Sequence, residues 1–145
     1  MASGSRHVGA ADVQIKETRD IPIESIVALY RTLGWSAVEK PAALHKALVA
    51  SHSLVTAWQD GRLVGLGNAI SDGHLVVYYS HLLVDPEFQG MGIGTQLMRR
   101  LMAHYAGFHQ QLLVADGRAT GFFSKCGFKR AGKTEPMWIY AGHDH

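Results

Sequence analysis

Leu82-Leu83-Val84-Asp85-Pro86, followed closely by Gln89-Gly90-Met91-Gly92-Ile93-Gly94, is the stretch whose reading decides the fold. An apolar run stops at a proline, the chain turns through three glycines, and Gln96-Leu97-Met98-Arg99-Arg100-Leu101-Met102 then shows helical apolar spacing. A strand that turns through glycines into a helix presents bare backbone N–H groups at the helix N-terminus. Unpaired amides and the helix dipole both favour negative charge there, so the turn is a candidate anion site. The competing reading is a tight connection that needs glycine only for its positive φ.

The flanking sequence gives the context. Upstream, Val13 to Thr18 alternates like a first strand, and Ile23, Ile26, Val27, Leu29, Tyr30 and Leu33 fall at helical spacing before Gly34. Pro41 suits the first position of a second helix running to Ser51. Ser53–Gln59 and Arg62–Ile70 read as strands joined by Asp60-Gly61, a two-residue hairpin turn. Ser71-Asp72-Gly73 makes a second turn, and His74–Val84 reads as a long strand. Downstream, the helix runs to about Ala106 with Gly107 as its cap. Gln111–Ala115 reads as a buried strand, Arg118–Lys125 as a helix ended by Gly127, and Met137–Tyr140 as a final strand. The predicted class is α+β, with a mixed, mostly antiparallel sheet flanked by helices on both faces.

The chain of 145 residues suits one domain, placed at 13–141 between a flexible start, 1–12, and a frayed tail, 142–145. Its net charge of +2, with no run of more than two Lys or Arg, gives no ground for nucleic-acid binding. No apolar run reaches the ~18 residues of a membrane span. The single cysteine, Cys126, forms no intrachain disulfide and suits a reducing, cytoplasmic setting. Nine histidines invite a metal reading. None has the spacing of a helical ligand pair, so no metal site is predicted.

The glycine turn follows hairpin strands, which is the wrong context for a dinucleotide fingerprint. Gly94-Thr95 also lacks the lysine of a Walker loop. Gln89, Gly92 and Gly94 instead fit the pattern Q/R-x-x-G-x-G/A. Downstream, Phe122-Phe123-Ser124-Lys125-Cys126-Gly127-Phe128, with Ala119 three residues before it, fits a second pattern, F-Y-x-K-x-G-F. The two motifs, in this order and at this distance, resemble those of the GCN5-related N-acetyltransferases, the GNAT family. The likeness spans roughly residues 13–141. Gly34-Trp35 and Leu83-Val84-Asp85-Pro86 are also similar to the arylalkylamine and serotonin-type members.

The resemblance implies the GNAT fold, acetyl-CoA as cofactor, and transfer of its acetyl group to a primary amine by direct attack in a ternary complex. It implies that the pyrophosphate lies on the amides of Gly90, Gly92, Gly94 and Thr95, within the turn that Gln89 and Met91 complete. It also implies that the preceding strand splays at a bulge and pairs with the pantetheine arm around Leu82, Leu83 and Val84. Phe122 and Phe123 would pack against that arm, and Lys125 would approach the 3′-phosphate unless it is simply solvated.

Amine acetylation needs a neutral amine, hence a proton acceptor. His81 is the first choice, with an ordinary pKa near ~6.5 and a place just before the pantetheine stretch. A structural histidine is the alternative. Tyr79 and Ser80 alternate with it, so only one register faces the cleft. Asp85 and Glu87 suit turn and helix-start roles better, and Asp116 suits a helix cap. Trp35, with Tyr30 and Leu33, is either core or an aromatic wall for the acceptor.

Phe123 stands where the family often has the tyrosine that protonates the leaving thiolate. No general acid is assigned; the thiolate leaves unassisted, takes a proton from water, or uses Tyr78, Tyr79 or Tyr140. Phe123 also keeps alive a second reading, a non-catalytic acyl-CoA-binding or sensing module. A nucleotide-binding regulator is a third. The partner is a small-molecule amine, with neither nucleic acid nor membrane; an exposed last strand would also permit a homodimer.

Overall fold

The computed structural model describes residues 12–144, so all of the flexible start except Asp12 lies outside the described residues. Nine regular elements follow: β1 (Gln14–Lys16), α1 (Ile23–Leu33), α2 (Pro41–Val49), β2 (Ser53–Gln59), β3 (Arg62–Ser71), β4 (Val76–Val84), α3 (Ile93–Met102), β5 (Gln110–Leu112) and α4 (Thr120–Lys125). The five strands form one sheet in chain order. β1 to β4 pair antiparallel and β4 pairs parallel with β5. This is the mixed, mostly antiparallel α+β architecture expected.

Each face of the sheet has its own core. Leu54, Leu63, Leu66 and Leu83 pack with Ile26, Leu29 and Tyr30 of α1 and Leu44 and Leu48 of α2. On the other face, Val55, Ala57, Val64, Val77 and Tyr79 pack with Ile93, Leu97, Met98 and Leu101 of α3. Two glycines of β3 set the depth of α3. A Cβ on Gly67 would stand 2.8 Å from Leu101 Cδ1, and one on Gly65 would stand 3.2 Å from Leu97 Cδ1. The helix therefore seats on bare backbone.

The β2–β3 hairpin turns at Asp60 (φ 49°) and Gly61 (φ 80°), the double positive φ of a type I′ turn. β4 starts at Val76 rather than His74. The Asp72 carboxylate accepts the N–H groups of His74, Leu75 and Val76, which keeps the first two out of the ladder. Those bonds hold the Asp72 carboxyl down at a pKa of about 2.

β4 then carries a bulge. Asn68 faces His81 and Ile70 faces Tyr78, so Tyr79 and Ser80 together oppose Ala69. The extra residue reverses the parity of the strand. Val77 and Tyr79 face α3 before the bulge, and Leu82 and Val84 do so after it. Leu83 turns to α1 and α2. Asn68 holds the bulge closed: its buried Oδ1 accepts from His81 N and Ser80 Oγ, both at 2.9 Å, while its Nδ2 donates to Ser51 Oγ at 2.9 Å.

Several sequence expectations need correction. β5 is three residues long, and Val114 beyond it is exposed, because the chain leaves β4 after Leu112. α3 gives way to a 3-10 turn at Ala103–Tyr105. Met137–Tyr140 forms no strand: Met137 is 93% exposed and Ile139 is fully exposed, and no neighbour pairs with this segment in the sheet. Side chains tie the segment down instead. Trp138 stacks on Tyr140 at 4.4 Å, and Tyr140 Oη donates to Asp144 Oδ1 at 2.6 Å. Residues 143–144 also carry side-chain bonds. Asp144 accepts from Ser36 Oγ at 2.5 Å, and His143 bonds Glu39.

The bulge makes a prediction. Asn68→Ala leaves the His81 N–H and the Ser80 hydroxyl without their acceptor, at a cost of about 1–3 kcal/mol. Denaturant unfolding should show that loss; wild-type stability would contradict the role given to Asn68.

Candidate active site

β4 and β5 part company after Tyr78, the last residue of β4 paired with β5. From Tyr79 to Val84, β4 is bonded to β3 on one side and, among the described residues, has no strand on the other. That open edge points into the glycine turn. Gly90 and Gly92 sit at φ 80° and 82°, a conformation that glycine adopts without strain. Gly92 is the N-cap of α3, with no side-chain cap and no acidic residue in the first turn. The first intrahelical bond there is Gln96 N to Gly92 O, which leaves the amides of Ile93, Gly94 and Thr95 outside the helix ladder.

The loop between strand and helix is braced. Asp85 is buried, and its two oxygens accept from Glu87 N at 2.9 Å and from Arg62 Nη2 at 2.6 Å. Both are committed to structure, which removes Asp85 as a base. Arg62 also reaches Glu87 at 3.4 Å. The Gln89 amide donates to Val84 O at 3.0 Å, closing the turn on the end of β4.

Strand edge, turn and helix end share one cleft of about 550 Å³. Leu82, Leu83, Val84, Gln89, Gly90, Gly92, Gly94, Thr95, Phe122 and Phe123 line it. These are ten of the residues singled out for the cofactor. Met91 packs against the α3-side core, and Lys125 is exposed on α4; neither lines the cleft. The cleft adds Phe88, Ile93 and Ala119. Ala119 had a signal in its small side chain before Phe122. Phe88 and Ile93 look like ordinary core residues in sequence. The Phe122 ring lies 3.3 Å from where a Gly94 Cβ would be, so α4 closes directly over the helix end. Asp116 does not cap α4. It accepts Arg118 N at 3.0 Å in the preceding turn, and Ala119 is the N-cap.

His81 projects to the opposite face of β4 from Leu82. Its ring meets Tyr30 at 5.5 Å and Trp35 at 5.3 Å, and these two rings meet each other at 5.7 Å. Nδ1 bonds the Tyr30 hydroxyl at 2.7 Å. Trp35 is half-buried against the core and in contact with His81. Burial pulls the His81 imidazole below its ordinary value of 6.5, against an opposing pull from the Asp144 carboxylate. Of the tyrosines considered as acids, Tyr79 donates to Gln111 Oε1 at 2.6 Å and Tyr140 to Asp144. Among the described residues, no group of three or more His, Cys, Asp and Glu is placed to hold a metal, and no helix is long and apolar enough to cross a membrane.

The depressed His81 value makes a stability prediction. As pH falls below 6.5 the unfolded chain takes up this proton before the folded one does, so His81 destabilises the fold on acidification. In thermal melts over a pH series, His81→Gln should flatten the loss of stability below 6.5. An unchanged slope would contradict a buried, neutral imidazole.

The model of the acetyltransferase (GNAT) family matches residues 22–128. An uncharacterized N-acetyltransferase, ycf52, of Porphyra purpurea is 27% identical over 124 residues, covering 81% of this chain and 70% of that protein. The N-alpha-acetyltransferase RimI of Mycobacterium tuberculosis is 30% identical over 110 residues, covering 72% of this chain and 70% of that one. A GNAT-family acetyltransferase structure from Streptococcus pneumoniae superposes with a TM-score of 0.77 at 27% identity, over 89% of this chain and 98% of that chain. The chain belongs to the acetyltransferase (GNAT) family.

Proposed function

We propose that this protein transfers the acetyl group of acetyl-CoA to a primary amine by direct attack in a ternary complex. One observation carries the reading: the unpaired edge of β4 runs into an uncapped helix N-terminus within a single cleft. An extended, amide-bearing arm pairs with such an edge as an added strand would. A pyrophosphate suits the helix end, where glycines let it approach the backbone. Bound acetyl-CoA would supply the activated acetyl group as a thioester.

The chain's own residues divide the work. The backbone of Leu82, Leu83 and Val84 holds the arm. The amides of Gly90, Gly92, Gly94 and Thr95 hold the phosphates, with Gln89 bracing the turn. Phe122, Phe123 and Ala119 wall off the cleft, and Lys125 supplies a nearby cation on α4. His81, flanked by Tyr30 and Trp35, is assigned to the acceptor side. Among the described residues its Nε2 has no hydrogen-bond partner and no buried side-chain polar atom lacks one, so Nε2 opens to accessible space. RimI is named for α-amine acetylation, so peptide N-termini belong in the acceptor panel beside small amines.

A non-catalytic acyl-CoA sensor is the second reading, favoured by one feature: Phe123 offers no proton to a leaving thiolate. Thiol release from acetyl-CoA across an amine panel separates the two. Turnover on any amine supports the enzyme; tight binding without turnover on small amines, polyamines and peptides supports the sensor.

Gly94→Val drives a side chain into the Phe122 ring and the helix end. Acetyl-CoA affinity should fall by more than about tenfold, ~1.4 kcal/mol, in a folded protein. Unchanged affinity in calorimetry would sink the phosphate assignment. Phe123→Tyr should keep or raise kcat, and a large loss would show that this ring has another task.

A further inference from the structure

Tyr30 is fully buried on α1, and among the described residues its hydroxyl has one hydrogen-bond partner, Nδ1 of His81 at 2.7 Å. Burial pushes the phenol far above its ordinary value, so it keeps its proton. A buried O–H must place that proton on an acceptor or lose a hydrogen bond in an apolar site. Nδ1 is the acceptor in reach. If Nδ1 instead carried the proton and donated, the phenol proton would point at nothing.

The side chain that touches the inner nitrogen sets what the outer nitrogen offers. A carboxylate in Tyr30's place would accept from Nδ1–H and leave Nε2 with a free lone pair, the arrangement of a triad histidine. A neutral phenol imposes the opposite tautomer. Of the charged groups, the Asp144 carboxylate acts on the ring from the C-terminal segment, and its field favours a proton on the imidazole. From β3, Asn68 takes only the His81 backbone N–H. Trp35 adds an aromatic ring and no proton acceptor.

We propose that Tyr30 is a positioning residue whose buried hydroxyl donates to Nδ1 of His81 and fixes the neutral imidazole with its proton on Nε2, so that His81 meets the acceptor as a hydrogen-bond donor and not as a proton-abstracting base. This replaces the base role that the sequence suggests for His81. The acceptor then reaches the site neutral through its own ionisation, and the acidic limb of the pH–rate profile moves with the pKa of the amine supplied. The role toward the acceptor rests on the acetyl-transfer reading; the tautomer does not.

The test is long-range proton–nitrogen NMR on the full chain with labelled histidine, at a pH above 6.5 and without ligand. The expected His81 pattern has an unprotonated Nδ1 and a protonated Nε2. A wild-type spectrum with the proton on Nδ1 overturns the proposal, whatever any variant does. Tyr30→Phe keeps the ring and removes the donor. Its His81 signals should move toward averaged tautomers, and kcat should fall by about tenfold, the scale of one hydrogen bond, with KM for acetyl-CoA unchanged. A variant that is merely less stable, with wild-type tautomer and kcat, also overturns it. Absence of turnover on every amine would fail the acetyl-transfer reading and leave the NMR pattern standing, so the two failures are distinguishable.

Discussion

The bulge at Tyr79-Ser80 is the constraint on which the rest of the site depends. One extra residue opposite Ala69 reverses the facing of β4, and Asn68 takes up the backbone N–H at His81 that marks the irregularity. Without the reversal, the alternation of Val77 and Tyr79 would continue through His81 and Leu83. His81 would then lie under α3, and Leu82 and Val84 would turn away from the cleft. With it, one strand serves two purposes: its α3 side and open edge build the cleft, and its α1 side carries His81 to Tyr30 and Trp35.

Between its apolar walls the cleft offers backbone groups at the strand edge and the helix end. The open edge of β4, the two positive-φ glycines and the first amides of α3 present N–H and C=O groups, and side chains such as Asp85, Arg62 and Gln89 hold the loop in shape. Preorganised amides need no rearrangement to meet an anion. Such a site constrains few side-chain identities beyond the glycines. That suits a chain only 27% identical to a Streptococcus pneumoniae structure that it matches at a TM-score of 0.77.

Much of this was legible in the sequence because it is encoded locally. The Asp60-Gly61 hairpin, the periodicity of α1 and its Gly34 stop, and the glycine turn with its helix are short-range signals, and the structure places α1 at Ile23–Leu33 as read. What was not legible is tertiary. The bulge was expected only through the family resemblance, since Asn68 and Ser80 look like ordinary strand polars until they meet. Tyr30 reads as a core residue because its α1 spacing is apolar; only the fold brings its hydroxyl to His81. Met137–Tyr140 has strand composition, yet composition supplies no partner strand, and side-chain bonds to Ser36 and Asp144 anchor the segment instead. Phe88 and Ile93 entered the cleft unannounced because a wall residue and a core residue are chemically alike.

The central claim is that coenzyme A binds along the open edge of β4 and on the N-terminus of α3. Hydrogen exchange with and without coenzyme A tests it most directly, because it reads those backbone amides themselves. The account predicts slowed exchange across residues 82–95 and over the 119–123 segment that covers them, with β1 and β2 unchanged. Saturating coenzyme A that leaves residues 82–95 exchanging at their free rate, or that protects a different face, would contradict it.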